Sequence, residues 1–275
     1  MDACKDFFAQ ITEPLIFMGI SLAHAPKTIF DIITSGELWK LWSLDAFKEA
    51  LFGNFWATMG PNVKAAGEGR VIPLLEGRIS GGQIRDHVVA TPINGTVIEV
   101  GAGSGMWADV FARIGAGAGS AGATSTAHHS NTNRSDITKI YGVEPNPKSA
   151  ASLRQRVKAV GLEDVYEVVP VGIESLDKPG TWACQIPRES VDCIVSILCL
   201  CSIPDPEENI KHLYGLLKPG GHCYPWSFFV GSCQTRRDTE RSLRLAGPWQ
   251  SVDLVQPPNE GPFSVLPHII GTLTK

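Results

Sequence analysis

The stretch VIEVGAGSGMW, Val97 to Trp107, constrains this chain more than any other. Three β-branched residues and Glu99 read as a short strand, Val97–Val100. Gly101, Gly103 and Gly105 follow, able to turn tightly and to let a ligand approach the main chain. Ser104 to Ile114 then reads as a helix, with Trp107, Val110, Phe111 and Ile114 at helical spacing. Strand, glycine turn and helix form the repeating unit of a parallel α/β sheet, and the helix N-terminus offers free N–H groups to a ligand.

The chain beyond repeats that alternation. Lys139–Val143 reads as a second strand ending at Glu144. Asn146 suits the cap of the next helix, Pro147 its first turn and Gly161 its end, with Ala150, Leu153, Val157 and Val160 inward. Tyr166–Val171 is a third strand, and Val191–Leu200, apolar almost throughout, a fourth that is covered on both faces. Pro206–Leu217 is a helix, His222–Val230 a fifth strand, and Ser251–Val255 with Pro267–Thr274 a closing antiparallel pair. Residues 115–136 carry almost no bulky apolar groups and read as a surface loop, in which His128 and His129 are solvated. The expectation is a Rossmann-like, mostly parallel seven-stranded sheet with helices on both faces, over residues 91–275.

Residues 1–90 read as a helical extension. The run from Pro14 to Ala25 is about twelve residues long, short of the ~18–20 that cross a bilayer. Asp2, Lys5 and Asp6 do not make the basic start of a signal peptide. From Ile29 to Trp56 the aromatics Trp39, Trp42, Phe47, Phe52, Phe55 and Trp56 fit two roles equally. One is a cap packed on the core; the other is a lid over an apolar substrate or a helix in a membrane interface.

A formal net charge of −4 gives no basic field for a phosphate backbone, so nucleic acid is not an expected partner. Seven cysteines, an odd number without a CxxC, suggest a reduced, cytoplasmic chain, with peripheral contact to an intracellular membrane left open. Cys199 and Cys201 would share a strand face, but no further ligands join them, so no metal is expected.

The loop selects among cofactors. A dinucleotide fingerprint needs a small residue where Met106 stands, which leaves an NAD(P) oxidoreductase a remote alternative, and the Gly-Lys-Ser/Thr of a phosphate loop is absent. An acid at Glu99 disfavours a pyrophosphate and suits a cationic ligand end. Glu144, at the end of the second strand, is placed to accept ribose hydroxyls, and Gly172-Ile173-Glu174, after the third, to flank an adenine. S-adenosylmethionine accounts for all three.

From about Thr91 onward, VIEVGAGSG, YGVEPN, VDCIVSILCLCSI and LLKPGG make the chain resemble the class I SAM-dependent methyltransferases. It is most similar to the small-molecule "type 11" branch and the methyltransferase-like, membrane-associated thiol methyltransferase group. FWATMGPNV, VIPLLEGRISGG and LPHIIGTLTK resemble fungal members. The resemblance implies that Glu99, Gly101, Ala102, Gly103 and Gly105 form the cofactor loop. It places Glu144 and Pro145 at the ribose, Ile173 and Glu174 near the adenine, and Leu198 to Ser202 beneath the reactive methyl. One departure falls on the acceptor side: HCYPWSFFVGSCQTRRDTERS runs almost directly into the next helix, and Pro225 sits where an interior strand should donate a hydrogen bond.

A sulfonium methyl needs alignment more than activation, and a base helps when the acceptor is a weakly acidic hydroxyl. His222 is the candidate base, although a strand-end histidine is as readily structural; His87 suits a lid and His268 a structural place on the closing strand. The expected activity is methyl transfer to O or S of a small, fairly apolar acceptor, as in secondary metabolism. The residues leave open a SAM-dependent cyclisation or elimination, and a SAM-binding chain without catalysis.

Overall fold

A computed structural model describes residues 12, 16, 18–115, 136–200, 202–227, 238–258, 260 and 268–275. The N-terminal segment forms α1 (Ala25–Thr34), a 3-10 turn (Leu38–Leu41) and the 32-residue α2 (Leu44–Leu75). Ser43 caps α2 by accepting from the Ala46 N–H at 3.4 Å. A small hairpin, β1 (Ile79–Ser80) and β2 (Gln83–Ile84), leads into the main sheet.

That sheet holds β3 (Gly95–Val100), β4 (Ile137–Val143), β5 (Tyr166–Val169), β6 (Val191–Ile197), β7 (Leu217–Ser227), β8 (Ser251–Val255) and β9 (Ile269–Thr274). Their order is β5-β4-β3-β6-β7-β9-β8. Only β9 runs against its neighbours, pairing antiparallel with β7 and β8. The crossovers are α3 (Ala108–Gly115), α4 (Pro147–Ala159), a 3-10 turn (Ile173–Ser175), α5 (Pro206–Leu216) and α6 (Thr239–Leu245). Asn146 caps α4 by accepting from the N–H groups of Lys148 and Ser149, with Pro147 in the first turn, as the sequence predicts.

Two apolar layers enclose the sheet. Val71, Leu74 and Leu75 of α2, Phe111 of α3 and Leu153 of α4 pack on the face that carries Val97, Val195, Tyr224 and Trp226. Ile173, Ile210 and Leu213 of α5 and Leu243 of α6 cover the other face, against Ile98, Val143, Ile194 and Cys223. Strand order reverses between β3 and β6, so a crevice opens beyond their carboxyl ends, where ligands of such sheets bind.

Several expected boundaries move. The first helix starts at Ala108, not Ser104, because the intervening residues close turns, with Gly105 N–H on Ala102 O at 3.0 Å. The third strand stops at Val169, where Pro170 has no N–H to extend the ladder. The fourth stops at Ile197 because Leu198 takes φ +57°. Cys199 therefore lies in a loop and not on a strand beside Cys201, which is outside the described residues. The fifth strand begins at Leu217, which pairs with Val191, and its expected end at 228–230 is outside the described residues. Pro225 does not break it: Pro225 pairs with Ser196 of β6, and the β9 ladder skips it between Cys223↔Leu273 and Trp226↔Ile270. The expected loop 115–136 falls almost wholly outside the described residues, as do His128, His129 and Pro267.

Candidate functional site

The glycine turn stands at the end of β3, at the point of strand reversal. Gly101, Gly103 and Gly105 have φ of +65°, +57° and +85°, which a side chain at these positions would strain. The first faces Cys199: a Cβ on Gly101 would lie 2.5 Å from the Cys199 Cβ. Gly103 differs, since a Cβ there would meet nothing within 4 Å. Its bare backbone borders an opening. Ala102 turns its methyl into the core and donates its N–H to Val143 O at 3.0 Å, tying the turn to β4.

Glu144 completes this corner. Its Oε2 accepts from the Gly103 N–H and its Oε1 from the Asn146 N–H, each at 2.9 Å. Burial pushes its carboxyl above the ordinary value, against the pull of those two N–H groups. An ionised carboxylate has about four acceptor sites, so about two remain for a vicinal diol. Pro145 is exposed beside it.

Glu99 is not brought to the opening. Alternation along β3 turns it under the α2 and α3 layer, where it is only 2% exposed and accepts a short hydrogen bond from Tyr166 Oη. The tyrosine reaches it across Gly142, where a Cβ would lie 2.2 Å from the Tyr166 oxygen. Burial pushes the Glu99 carboxyl up to about 8, with Glu144 adding to the rise, so near neutral pH it holds its proton. The side chain expected to meet a cationic ligand end is instead buried against Tyr166. Ile173 is buried in the core, whereas Glu174 faces solvent after β5.

At the end of β6, Leu198 holds its left-handed conformation through its N–H, which donates to Trp226 O at 2.7 Å. Such backbone strain in a branched residue gathers at functional sites. Leu198 thus bridges the carboxyl ends of β6 and β7 under the crevice. His222 lies elsewhere. It stands five residues before the end of β7, about 16 Å along the strand. Its Nδ1 meets Thr274 Oγ1 at 3.1 Å, so the structure does not bring it to the glycine turn. His87 is exposed and paired with Asp86.

The sequence reading missed what α2 contributes. Glu49 Oε1 accepts from Asn146 Nδ2 at 2.9 Å, reaching the Glu144 corner. Gly60 meets Met106, and Gly67 admits the Trp226 ring, whose atoms would lie 2.7 Å from a Cβ there. Lys64, between them, binds both oxygens of Asp109 at 2.6 Å. The signal was the seven-residue spacing of Gly60 and Gly67, about two helical turns, which puts both on one face.

Gly103's open backbone and the unfilled acceptor sites of Glu144 fit the hydroxylated ribose and the aminoacyl end of S-adenosylmethionine. A family model described as a methyltransferase domain matches residues 83–252. No curated protein matches the chain. Among solved structures, the chain is similar to TYW2 of M. jannaschii in complex with AdoMet, at 13% identity and TM-score 0.42, covering 66% of this chain and 68% of that one. It is similar to the [4+2]-cyclase SpnF at 16% identity and TM-score 0.45, covering 66% and 76%. A SAM-dependent methyltransferase from Aquifex aeolicus shares 15% identity at TM-score 0.41, covering 65% and 81%. With more than half of its 275 residues matched by that model, the chain belongs to the methyltransferase-domain family.

Proposed function

We propose that this chain moves the methyl group of S-adenosylmethionine onto oxygen or sulfur of a small, fairly apolar acceptor, as in secondary metabolism. The observation that carries this reading is the Gly103–Glu144 corner at the reversal of strand order. A backbone open to a ligand is fixed there by a carboxylate with acceptor sites to spare. The resemblance to small-molecule methyltransferases supports the acceptor class.

When bound, the cofactor supplies a methyl already activated by its sulfonium. Glu144 would hold the ribose hydroxyls, the Gly101–Gly105 main chain would cradle the aminoacyl end, and Glu174 is the accessible polar group on the adenine side. Leu198 and Trp226 would form the apolar floor on which an acceptor is aligned, and α2 would exclude water from above. Beyond α2, the cap leaves Phe30, Trp39 and Trp42 exposed, Trp42 by 90%. Exposed tryptophans and apolar side chains suit peripheral contact with a membrane, from which apolar acceptors partition. Among the described residues no helix is long and apolar enough to cross one.

Titration calorimetry with S-adenosylhomocysteine, followed by incubation with methyl-tritiated SAM and a metabolite extract, tests the reading. Tight binding and a product heavier by one methyl are expected. Absence of binding sinks it. Turnover that persists with S-adenosylhomocysteine in place of SAM would instead identify a cyclisation or elimination.

A further inference from the structure

Trp226 is the last residue of β7 but one, so it stands at the carboxyl edge of the sheet. Its carbonyl accepts from the Leu198 N–H, which puts it beside the strained residue that ends β6. Its ring lies in the α2 layer, together with Ala102 of the glycine turn and with Met106 and Trp107, which follow that turn. Gly67 of α2 is where the two tryptophans converge. A Cβ there would lie 2.7 Å from Cζ3 and Cη2 of Trp226 and 3.4 Å from Cη2 of Trp107. The benzo edge of the Trp226 indole therefore meets α2, and Nε1, in the pyrrole ring, lies nearer to β7. His268 stacks on the same indole, with centroids 5.7 Å apart and planes 25° apart.

Trp226 is only 5% exposed, yet its Nε1–H has no hydrogen-bond acceptor among the described residues. An indole nitrogen only donates, and a buried donor normally has a partner. Three other buried side-chain atoms lack a hydrogen bond among the described residues, in Ser196, His212 and Ser227. Alternation turns Ser196 and Ser227 to the opposite face of the sheet, and His212 lies on α5, which covers that face. Of the four, Trp226 alone shares a layer with the glycine turn. What completes it is a hydrogen-bond acceptor. A buried anion needs more than one neutral donor, and Arg70, the cation at this edge, is paired with Glu260 at 3.6 Å. A carbonyl oxygen is neutral and only accepts, so it fits.

We propose that the Trp226 N–H selects the methyl acceptor, and that this acceptor carries a carbonyl oxygen besides the oxygen or sulfur that is methylated. The proposal rests on the methyl-transfer reading above. Held by Nε1, the carbonyl fixes the acceptor beside Leu198 with its nucleophile toward the glycine turn. A molecule of the same shape with a methylene in place of the carbonyl leaves the donor buried and unpaired, and is disfavoured for that reason. Trp226 is thus a specificity residue; it takes no proton and forms no bond in the transfer.

The test compares wild type with Trp226→Phe, which keeps an aromatic ring and loses the N–H, using tritiated SAM. The probes are a ketone, para-hydroxyphenyl-butanone, and para-butylphenol, which has a methylene in place of the carbonyl, together with the two matching thiols. Methylenes insulate the carbonyl from the ring, so the paired nucleophiles ionise alike. Wild type should prefer each ketone by about tenfold or more in kcat/KM, and Trp226→Phe should treat the members of a pair within about threefold. The variant should bind S-adenosylhomocysteine like wild type by calorimetry. A second measurement needs no variant. In wild type with isotope-labelled indole nitrogens and saturated with S-adenosylhomocysteine, the ketone should move one indole N–H resonance downfield, and para-butylphenol none. Equal turnover of ketone and para-butylphenol by wild type would overturn the proposal, as would a preference that survives in Trp226→Phe. So would indole resonances that the ketone leaves unmoved, or a wild type that binds S-adenosylhomocysteine but methylates none of the four probes. A wild type that does not bind S-adenosylhomocysteine overturns the cofactor reading, and the acceptor contact falls with it.

Discussion

Glu99 lies on β3 and Glu144 just past the end of neighbouring β4, yet burial gives them different surroundings. Glu144 keeps acceptor sites at the opening. Replacing it with Ala removes about two charge-assisted hydrogen bonds to a ribose and frees the Gly103 N–H. S-adenosylhomocysteine should then bind about 100-fold more weakly by calorimetry, a loss of about 3 kcal/mol. An unchanged affinity would remove the ribose from this corner. Glu99 is buried as an acid whose carboxyl is pushed up to about 8 from 4.5. Between those values the folded chain holds a proton that the unfolded chain has released. Its contribution to stability is full below the unfolded value and falls as pH rises toward the folded one. Relative to Glu99→Gln, wild type should lose about 2–3 kcal/mol in urea melts between about pH 5.5 and about pH 7.5. A flat difference would mean an ionised Glu99. The position of Glu144 and the Asn146 cap were legible because each follows from a local pattern, a strand end or a helix start. The place of Glu99 was not: it depends on Tyr166 reaching across Gly142 from another strand.

At the scale of elements, the crossover helices carry a plain 3.6-residue apolar period and lie where that period puts them. Boundaries moved where one residue changed the chemistry: Pro170 ended β5, Leu198 ended β6, and Pro225 stayed inside β7 because the β9 ladder passes it by. The N-terminal segment was legible as helical but not as a partner of the site, since aromatic residues suit a cap, a lid and a membrane surface alike. In the structure they divide by burial. Phe55 is buried between α1 and α2, with Phe52 and Trp56 stacked beside it, while Trp39 and Trp42 project outward. Replacing Trp39 and Trp42 with Ser should lower co-sedimentation with phosphatidylcholine vesicles by about tenfold or more, given about 1.5–3 kcal/mol for each large apolar side chain transferred. Affinity for S-adenosylhomocysteine should stay as in wild type. Equal sedimentation of both proteins would assign that surface to something other than lipid.

For the molecule as a whole, alternating strands and helices predict a parallel sheet, but no local pattern says that β9 inserts between β7 and β8 or that α2 crosses to the cofactor turn. Those are long-range pairings, and they set where the cap meets the crevice edge of the sheet. Three contacts join them: Glu49 with Asn146, Gly60 with Met106, and Lys64 with Asp109. The first lies two residues beyond the carboxylate proposed to hold the ribose. A ligand that fixes Glu144 should therefore also fix the first half of α2, because stabilising one end of a packed network suppresses local opening at the other. By hydrogen exchange, S-adenosylhomocysteine should slow amides of residues 44–60 by about tenfold while leaving β8 unchanged. Lys64→Ala keeps the glycine turn but cuts the strongest tie between α2 and α3. In that variant the ligand should still protect residues 101–105, and protection of residues 44–60 should fall away. If protection spreads evenly over the sheet, the ligand stabilises the fold globally and α2 is not coupled to the site. If wild type shows protection at 101–105 alone, the cap is a fixed scaffold, and water must be excluded from the crevice by the ligand itself.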